Sequence, residues 1–432
     1  MTVQYKRIRA LFPDHLGLAR GKYLPANLAA KGTRHCITTF ALGYDRTMVP
    51  APGARLLEGL PDVDLNIDMD DVRPGWESDT GVVVGDLSFH GVPLEIAPRT
   101  VLQKAIRDWE DLGYRAKVGI ELEAFVMQPD GHGGWTEWNT PTAYVYGTGL
   151  AVDPIGLFDE IMSTAEACGF PMESLNSEYD TPQFELTLPY GDVLDAVDRI
   201  FLFKVMAREI AAKHGLLLTF IGKPFADRGG SGLHVNLSLE NIRENKKGEN
   251  AMFDAKAKDG LSKLAQQCIA GMLEHFEASA ALCAPTVNAY KRLKPAQLAG
   301  YWANWGYDHR GVSIRVPFDR GNATRLEHRM SDGAANPYLA TAAVLQAARL
   351  GVIHKLKLGL PEEQDCLESQ STERHVPANL ELALNALEAD TKFVAAIGPE
   401  MVAQFTAVKR AEWEKFIFAV TDWEKNYYLP FL

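Results

Sequence analysis

Residues 119–127 read Gly-Ile-Glu-Leu-Glu-Ala-Phe-Val-Met. Ile120, Leu122 and Ala124 alternate with Glu121 and Glu123. That is the period of a strand, whose successive side chains point to opposite faces. Both carboxylates therefore share one face. Either that face meets water at a sheet edge, or it is enclosed and a cation compensates the two charges, because buried unpaired carboxylates are costly. The choice decides whether the sheet is a plain scaffold or the wall of a charged cavity.

Other segments repeat the pattern. Strands are expected over 118–127, 183–188, 232–239, 312–317 and 325–329. His234, Asn236 and Ser238 share a face opposite Leu233, Val235 and Leu237. Glu185 and Thr187 oppose Phe184, Leu186 and Leu188, while Arg325, Glu327 and Arg329 share a face in the last strand. Between them run helical patterns. Leu102, Ala105, Ile106 and Trp109 recur at helical spacing after Pro98, with Gly113 as a stop. Asp192 and Asn336 are candidate N-caps for helices beginning just after them, Gly215 closes the first, and residues 262–282 and 411–428 read as further amphipathic helices. Residues before about 98 are short apolar runs broken by Gly, Pro and Asp, which predicts a small strand-rich unit.

If the helices cover the outside of the sheet, the polar faces line a shared cavity. Glu121, Glu123, Glu178, Glu185, His234 and Glu327 then converge, and carboxylates with one imidazole suit Mg²⁺ or Mn²⁺ rather than zinc. Arg292, Arg310, Arg315, Arg325 and Arg329 fit as phosphate and carboxylate clamps beside such ions. Metals and arginines in one tunnel equip a protein for phosphoryl transfer.

Composition sets outer limits. At 432 residues the chain is too long for one ordinary core, so two domains are expected. A net charge of −12 argues against a nucleic-acid partner. Five widely spaced cysteines without a Cys-x-x-Cys pair suit a reducing compartment. No apolar run is long enough for a signal or a membrane span, so a cytoplasmic protein without a membrane partner is expected.

The motifs GIELEAF, NSEYDTPQFELTLPYGD, GGSGLHVNLSL, PTVNAYKRLKP, HRGVSIRVP, RLEHR and GAANPYLA occur in one order. With them the chain resembles the glutamine synthetase superfamily, the ATP-dependent γ-glutamyl ligases, from about residue 60 onward. The resemblance implies an α+β fold, with an N-terminal β-grasp domain over residues 1–97 and an α/β-barrel-like catalytic domain over 98–432. It implies a homo-oligomer as well, a dodecamer of two stacked hexameric rings with active sites between subunits.

The same resemblance assigns roles. Glu123, Glu178 and Glu185 would hold one Mg²⁺ or Mn²⁺, and Glu121, His234 and Glu327 another, with two to three ions per site and ATP as co-substrate. Arg292, Arg329 and the Gly230 backbone would grip glutamate. Arg310 would stabilise the transferring phosphoryl group, with Glu327 beside it as the second catalytic residue. Tyr190, Ser238, Arg315 and Arg325 would contact the nucleotide.

Four departures from the family pattern stand out, two of them at the ammonium site. Leu298 stands where glutamine synthetases carry a glutamate that binds and deprotonates ammonium. FALGYD lacks the Asp-Gly-Ser motif whose aspartate shares that role, Gly229 replaces a usual asparagine, and Asn236 a usual histidine. A leucine in a cation pocket suits an alkyl or aryl amine, with Tyr301, Trp302 and Trp305 as candidate neighbours. Asp180 or Glu173 could replace the missing base. Three functions follow: glutamate–amine ligase acting on an organic amine, glutamine synthetase with a relocated base, and a silent structural member. Elsewhere, His328, Cys268, Cys283 and the Trp/Tyr cluster at 413–428 are expected to be packing residues.

Overall fold

A computed structural model describes residues 5–140 and 142–432. The N-terminal strands are β1 (Arg7–Pro13), β2 (Ala19–Pro25), β3 (Thr33–Cys36) and β4 (Asp62–Asn66). They continue with β5 (Arg73–Pro74), β6 (Thr80–Val84), β7 (Asp86–Phe89) and β8 (Val92–Pro93). Two four-stranded sheets result, ordered β2-β1-β6-β5 and β3-β4-β7-β8. β1 and β6 run parallel, and the other neighbours are antiparallel. Ile8, Phe12, Ile37, Phe40, Val63 and Leu87 form a second core cluster, which Val408 joins, while Leu11, Val82 and Val84 pack into the main core.

The larger sheet has nine strands. They are β9 (Tyr114–Pro129), β10 (Trp135–Glu137), β11 (Ser174–Ser177), β12 (Gln183–Asp192) and β13 (Leu217–Thr219), followed by β14 (Leu233–Asn241), β15 (Trp305–Tyr307), β16 (Ile314–Val316) and β17 (Leu326–His328). The main path runs β11-β12-β9-β14-β17-β16-β15, while β10 and β13 pair with the C-terminal end of β9. All five sequence-expected strands are present in it.

Helices α1 (Pro98–Glu110) and α3 (Val193–Lys213) lie on β9, and α7 (Pro337–Ile353) packs on both. Between α1 and α3 runs α2 (Leu157–Ala167). This layer buries Ile120, Leu122 and Ala124 to 1% exposure or less, at roughly 1.5–3 kcal/mol for each large apolar side chain. Trp109 is fully buried in the same layer and donates from Nε1 to the Leu345 carbonyl at 3.0 Å. Gly113 adopts φ +83°, the left-handed turn that ends α1. Further helices are α4 (Lys263–Glu274), α5 (Phe276–Cys283), α6 (Ala289–Arg292), α8 (Leu380–Ala389), α9 (Thr391–Ile397), α10 (Pro399–Ile417) and α11 (Asp422–Tyr428). No helix among the described residues is long and apolar enough to cross a membrane.

Several local expectations are corrected. Asn336 caps α7 by accepting from the Tyr338 and Leu339 N–H groups, but Asp192 makes no such bond. Its carboxylate pairs instead with Lys117 at 2.8 Å, a charged partner that competes with the backbone donors. Residues 262–282 form two helices, broken at His275, whose Nδ1 is 2.5 Å from Asp390. The 411–428 stretch is likewise split between α10 and α11. There Trp423 stacks on Tyr427 and Tyr428 lies edge-on to both, but they stay 63%, 60% and 47% exposed, so their apolar face is not buried within the chain. His328, Cys268 and Cys283 are buried as expected, and burial depresses the His328 imidazole to about 3.

Candidate active site

β9 sets the site by register. Glu123 stands opposite Glu185 of β12, and Glu121 opposite His234 of β14. β14 then places Asn236 opposite Glu327 of β17, and β16 places Arg315 opposite that glutamate. One oxygen each of Glu121 and Glu327 and a ring nitrogen of His234 lie within 4.8 Å of one another. His234 Nδ1 is 3.3 Å from Glu121 and 3.6 Å from Glu327. The carboxylate face of β9 is therefore enclosed, not a solvent-washed edge.

The electrostatics divide the cluster in two. Burial raises the Glu121 carboxyl, but hydrogen bonding and charge from His234, with Asn236, outweigh it and bring the group down to about 2. Glu327 is also lowered: burial opposes, while Arg329 and then His234 prevail. Across the strand the balance reverses. Burial, and then the like charges of Glu121, Glu178 and Glu123, push Glu185 up to about 7. Glu178 is raised by burial and by Glu123. Oxygen donors with one imidazole, carrying excess negative charge, fit a hard divalent cation such as Mg²⁺ or Mn²⁺.

The second trio is looser. Among the described residues Glu123, Glu178 and Glu185 do not bring ligand atoms together within 4.8 Å as the first trio does. Glu123 Oε2 accepts from the Gly232 N–H at 2.8 Å and from Gln183 Nε2 at 3.2 Å, and like charges keep the remaining carboxylates apart.

The arginines occupy different depths. Arg315 donates to Glu327 at 2.8 Å, and Arg329 also hydrogen-bonds it. Arg292 is 4% exposed and holds the Met330 and Ser331 carbonyls at 3.0 and 3.2 Å. Arg310 is exposed, and Arg325 pairs with Asp319 at 3.1 Å near the surface. Tyr190 is 72% exposed but close to Gly119 of β9, where an added Cβ would lie 3.2 Å from the tyrosine Cβ. Ser238 lies farther along β14, half-buried.

Gly230 accepts a bond from Gln183 Nε2 at 3.1 Å, and a Cβ there would meet the Gly222 carbonyl at 2.4 Å and Arg292 at 2.8 Å. Only glycine fits this approach. Asp180 accepts from the Gly229 N–H and so belongs to the same loop, whereas Glu173 is exposed.

Leu298 is 48% exposed, at φ +50°. Of the aromatics that follow it, Tyr301 stacks on His375 at 5.0 Å, Trp302 lies edge-on to both, and Trp305 packs on Tyr307. The Leu298 carbonyl is still tied to the site, accepting from Arg329 Nη2 at 3.4 Å.

One positioning residue, Gln183, escaped the sequence reading, and Asn236 was noted there without this role. Gln183 orients Glu123 and the Gly230 loop, and Asn236 donates to Glu121 at 2.9 Å. Both lie on the polar faces of their strands, at even spacing from Glu185 and His234, and that period was the available signal.

This fold and constellation define a class. A model of the glutamine synthetase catalytic domain matches residues 95–428, and the chain belongs to the glutamine synthetase family. A glutamine synthetase of Clostridium saccharobutylicum is 37% identical over 347 residues, 78% of this chain and 77% of that protein. One of Staphylococcus aureus (strain MW2) is 36% identical over 349 residues, 78% of this chain and 76% of that protein. Among solved structures, ligand-free GmaS superposes with a TM-score of 0.86 at 30% identity, over 99% of this chain and 97% of that one. A further glutamine synthase homologue shares the fold, with a TM-score of 0.82 at 23% identity over 98% and 97% of the two chains.

Proposed function

We propose that the protein is an ATP-dependent ligase that joins the γ-carboxylate of glutamate to an organic amine. The observation that carries this reading is Leu298, whose carbonyl is bonded by Arg329 beside the carboxylate cluster and whose side chain can neither attract ammonium nor take its proton. GmaS, a γ-glutamylmethylamide synthetase, supports an amine substrate by its structural likeness. The relatives named glutamine synthetase support a second reading in which ammonia is the nucleophile.

The γ-carboxylate attacks the γ-phosphorus of ATP and ADP leaves, giving γ-glutamyl phosphate. The neutral amine then attacks the acyl carbon and phosphate departs. Arg292, Arg329 and the Gly230 backbone orient glutamate, and Arg310 offsets charge on the transferring phosphoryl group. Arg315 and Arg325 hold the nucleotide phosphates, with Tyr190 and Ser238 beside the nucleoside. Glu121, His234 and Glu327 would hold one divalent cation and Glu123, Glu178 and Glu185 another. Such ions supply neutralisation of phosphate charge. Keeping water out preserves the acyl phosphate for the amine.

The same reading takes residues 1–97 as a β-grasp unit and 98–432 as the catalytic unit, supported by a second core cluster drawn mainly from the N-terminal strands. It takes the protein as cytoplasmic and as a homo-oligomer of stacked rings, the latter supported by exposed apolar side chains between Phe418 and Leu432. Phosphate release, measured with glutamate and ATP against a panel of amines that includes ammonia, tests the function. Preference for an alkyl amine supports the ligase reading, preference for ammonia supports the second reading, and no turnover with any amine refutes both.

A further inference from the structure

A cavity of about 830 Å³ lies apart from the carboxylate cluster, between the β1–β2 hairpin, α3 and β13. Its volume falls in the range of small-molecule sites, about 300–1,000 Å³. Phe201, Leu216, Leu217 and Phe220 give it apolar wall.

Its charges are unevenly satisfied. Arg9 lines it but is forked onto Glu209, at 2.7 and 3.0 Å, and Arg20 is paired with Asp14 at 2.7 Å. Glu412, the other acidic wall residue, takes Lys409 at 2.8 Å. Lys204 and Arg208 remain. They lie one turn apart on α3, both line the cavity, and neither meets a carboxylate within ion-pair distance among the described residues. Lys204 Nζ donates to the Gly333 carbonyl at 2.8 Å and lies 4.8 Å from the centre of the Phe220 ring. The charge of Asp332 acts on Lys204 from beyond ion-pair distance, and spare donors on both side chains remain for an anion. Like charges at this helical spacing repel. An anion between them would turn the repulsion into two charge-assisted contacts.

We propose that this cavity binds a small carboxylate with an apolar body, its charge between Lys204 and Arg208 and its hydrocarbon against Phe201 and Phe220. The site is separate from the glutamate and nucleotide positions, so a bound carboxylate would act as an effector rather than a substrate. It does not depend on the ligase reading.

Calorimetric titration of the protein with 4-phenylbutyrate, its alcohol analogue and inorganic phosphate tests the site. Glutamate and ADP with Mg²⁺ are kept saturating, so that carboxylate binding to a glutamate pocket is suppressed. One phenylbutyrate per chain is expected, bound at least about tenfold tighter than the alcohol, with phosphate weaker than either. Arg208→Gln, at an exposed position without ion pairs, should bring phenylbutyrate down to the affinity of the alcohol and leave the alcohol unchanged. Lys204→Met, if folded by circular dichroism, should do the same. Absence of binding, equal affinity for acid and alcohol, phosphate binding as tightly as the aryl acid, or an unaltered Arg208→Gln titration each overturn the proposal. If the protein proves not to be a ligase, the titration is still read in the same way.

Discussion

Asn236 donates from Nδ2 to Glu121 Oε1 at 2.9 Å, across the strand pair that sets Glu121 opposite His234. The amide fixes one carboxylate oxygen while the other faces His234 Nδ1. Asn236→Ala removes that anchor and leaves every candidate ligand in place. The expected result is a 10- to 100-fold weaker Mn²⁺ affinity, roughly the cost of losing a hydrogen bond to a metal ligand, with thermal stability little changed. Titration with Mn²⁺ followed by electron paramagnetic resonance measures it, and wild-type affinity would remove Asn236 from the site.

Glu121→Ala and Glu123→Ala should each abolish turnover while the protein stays folded, because taking one carboxylate from a crowded negative cluster relieves repulsion. Circular dichroism and phosphate release on the same preparation check both halves. Activity near that of wild type in either variant would contradict the metal assignment.

Arg310→Ala should lower kcat most, and Arg329→Ala should mainly raise the KM for glutamate. The first contact strengthens as charge moves in the transition state, and the second is already present in the ground state. Arg329 also bonds Glu327, so its variant should show a secondary rise in the metal requirement that Arg310→Ala lacks. The opposite split would exchange their roles.

Leu298→Glu should shift preference from an alkyl amine toward ammonia. The native enzyme is expected to favour the organic amine by at least about tenfold, or about 1.4 kcal/mol, which one or two buried methylenes can supply. The link from Arg329 uses the Leu298 carbonyl, so the substitution leaves it intact. Specificity constants for both nucleophiles in both proteins measure the shift, and an unchanged ratio removes Leu298 from nucleophile selection.

Stability should fall in mild acid through His15. Burial depresses this imidazole to about 3, and the side chain is 1% exposed. The folded state thus holds it neutral while the unfolded chain takes up a proton below about 6.5. Its contribution is fully present above that pH and is lost as pH falls toward about 3, at up to roughly 1.4 kcal/mol per unit. His15→Leu should flatten the melting temperature between pH 7 and 5 relative to wild type, and an equally steep loss would place the acid sensitivity elsewhere.

The residues explain what was legible. Glu121, Glu123, Glu185 and His234 could be assigned to polar faces because strand period is local. Their register could not, since the pairing of β9 with β12 and β14 joins segments distant in the chain. The grip of Arg315 and Arg329 on Glu327 depends on the same pairing. The break at His275 was invisible because apolar spacing continues through it, and its partner Asp390 lies 115 residues on. Exposure of Trp423 and Tyr427 shows the limit of amphipathic pattern, which identifies an apolar face without naming what covers it.

β9 acts as a ruler. Glu121 and Glu123 are two steps apart on one extended strand, a separation of roughly 6.6–6.8 Å set by backbone pitch, and each is matched to a different neighbouring strand. A one-residue insertion upstream in β9 would turn both carboxylates into the hydrophobic layer together, so the two cation positions would be lost as a unit. The half-exposed turn at Leu298 carries no such pitch constraint, so a substitution there leaves the spacing of the charges undisturbed.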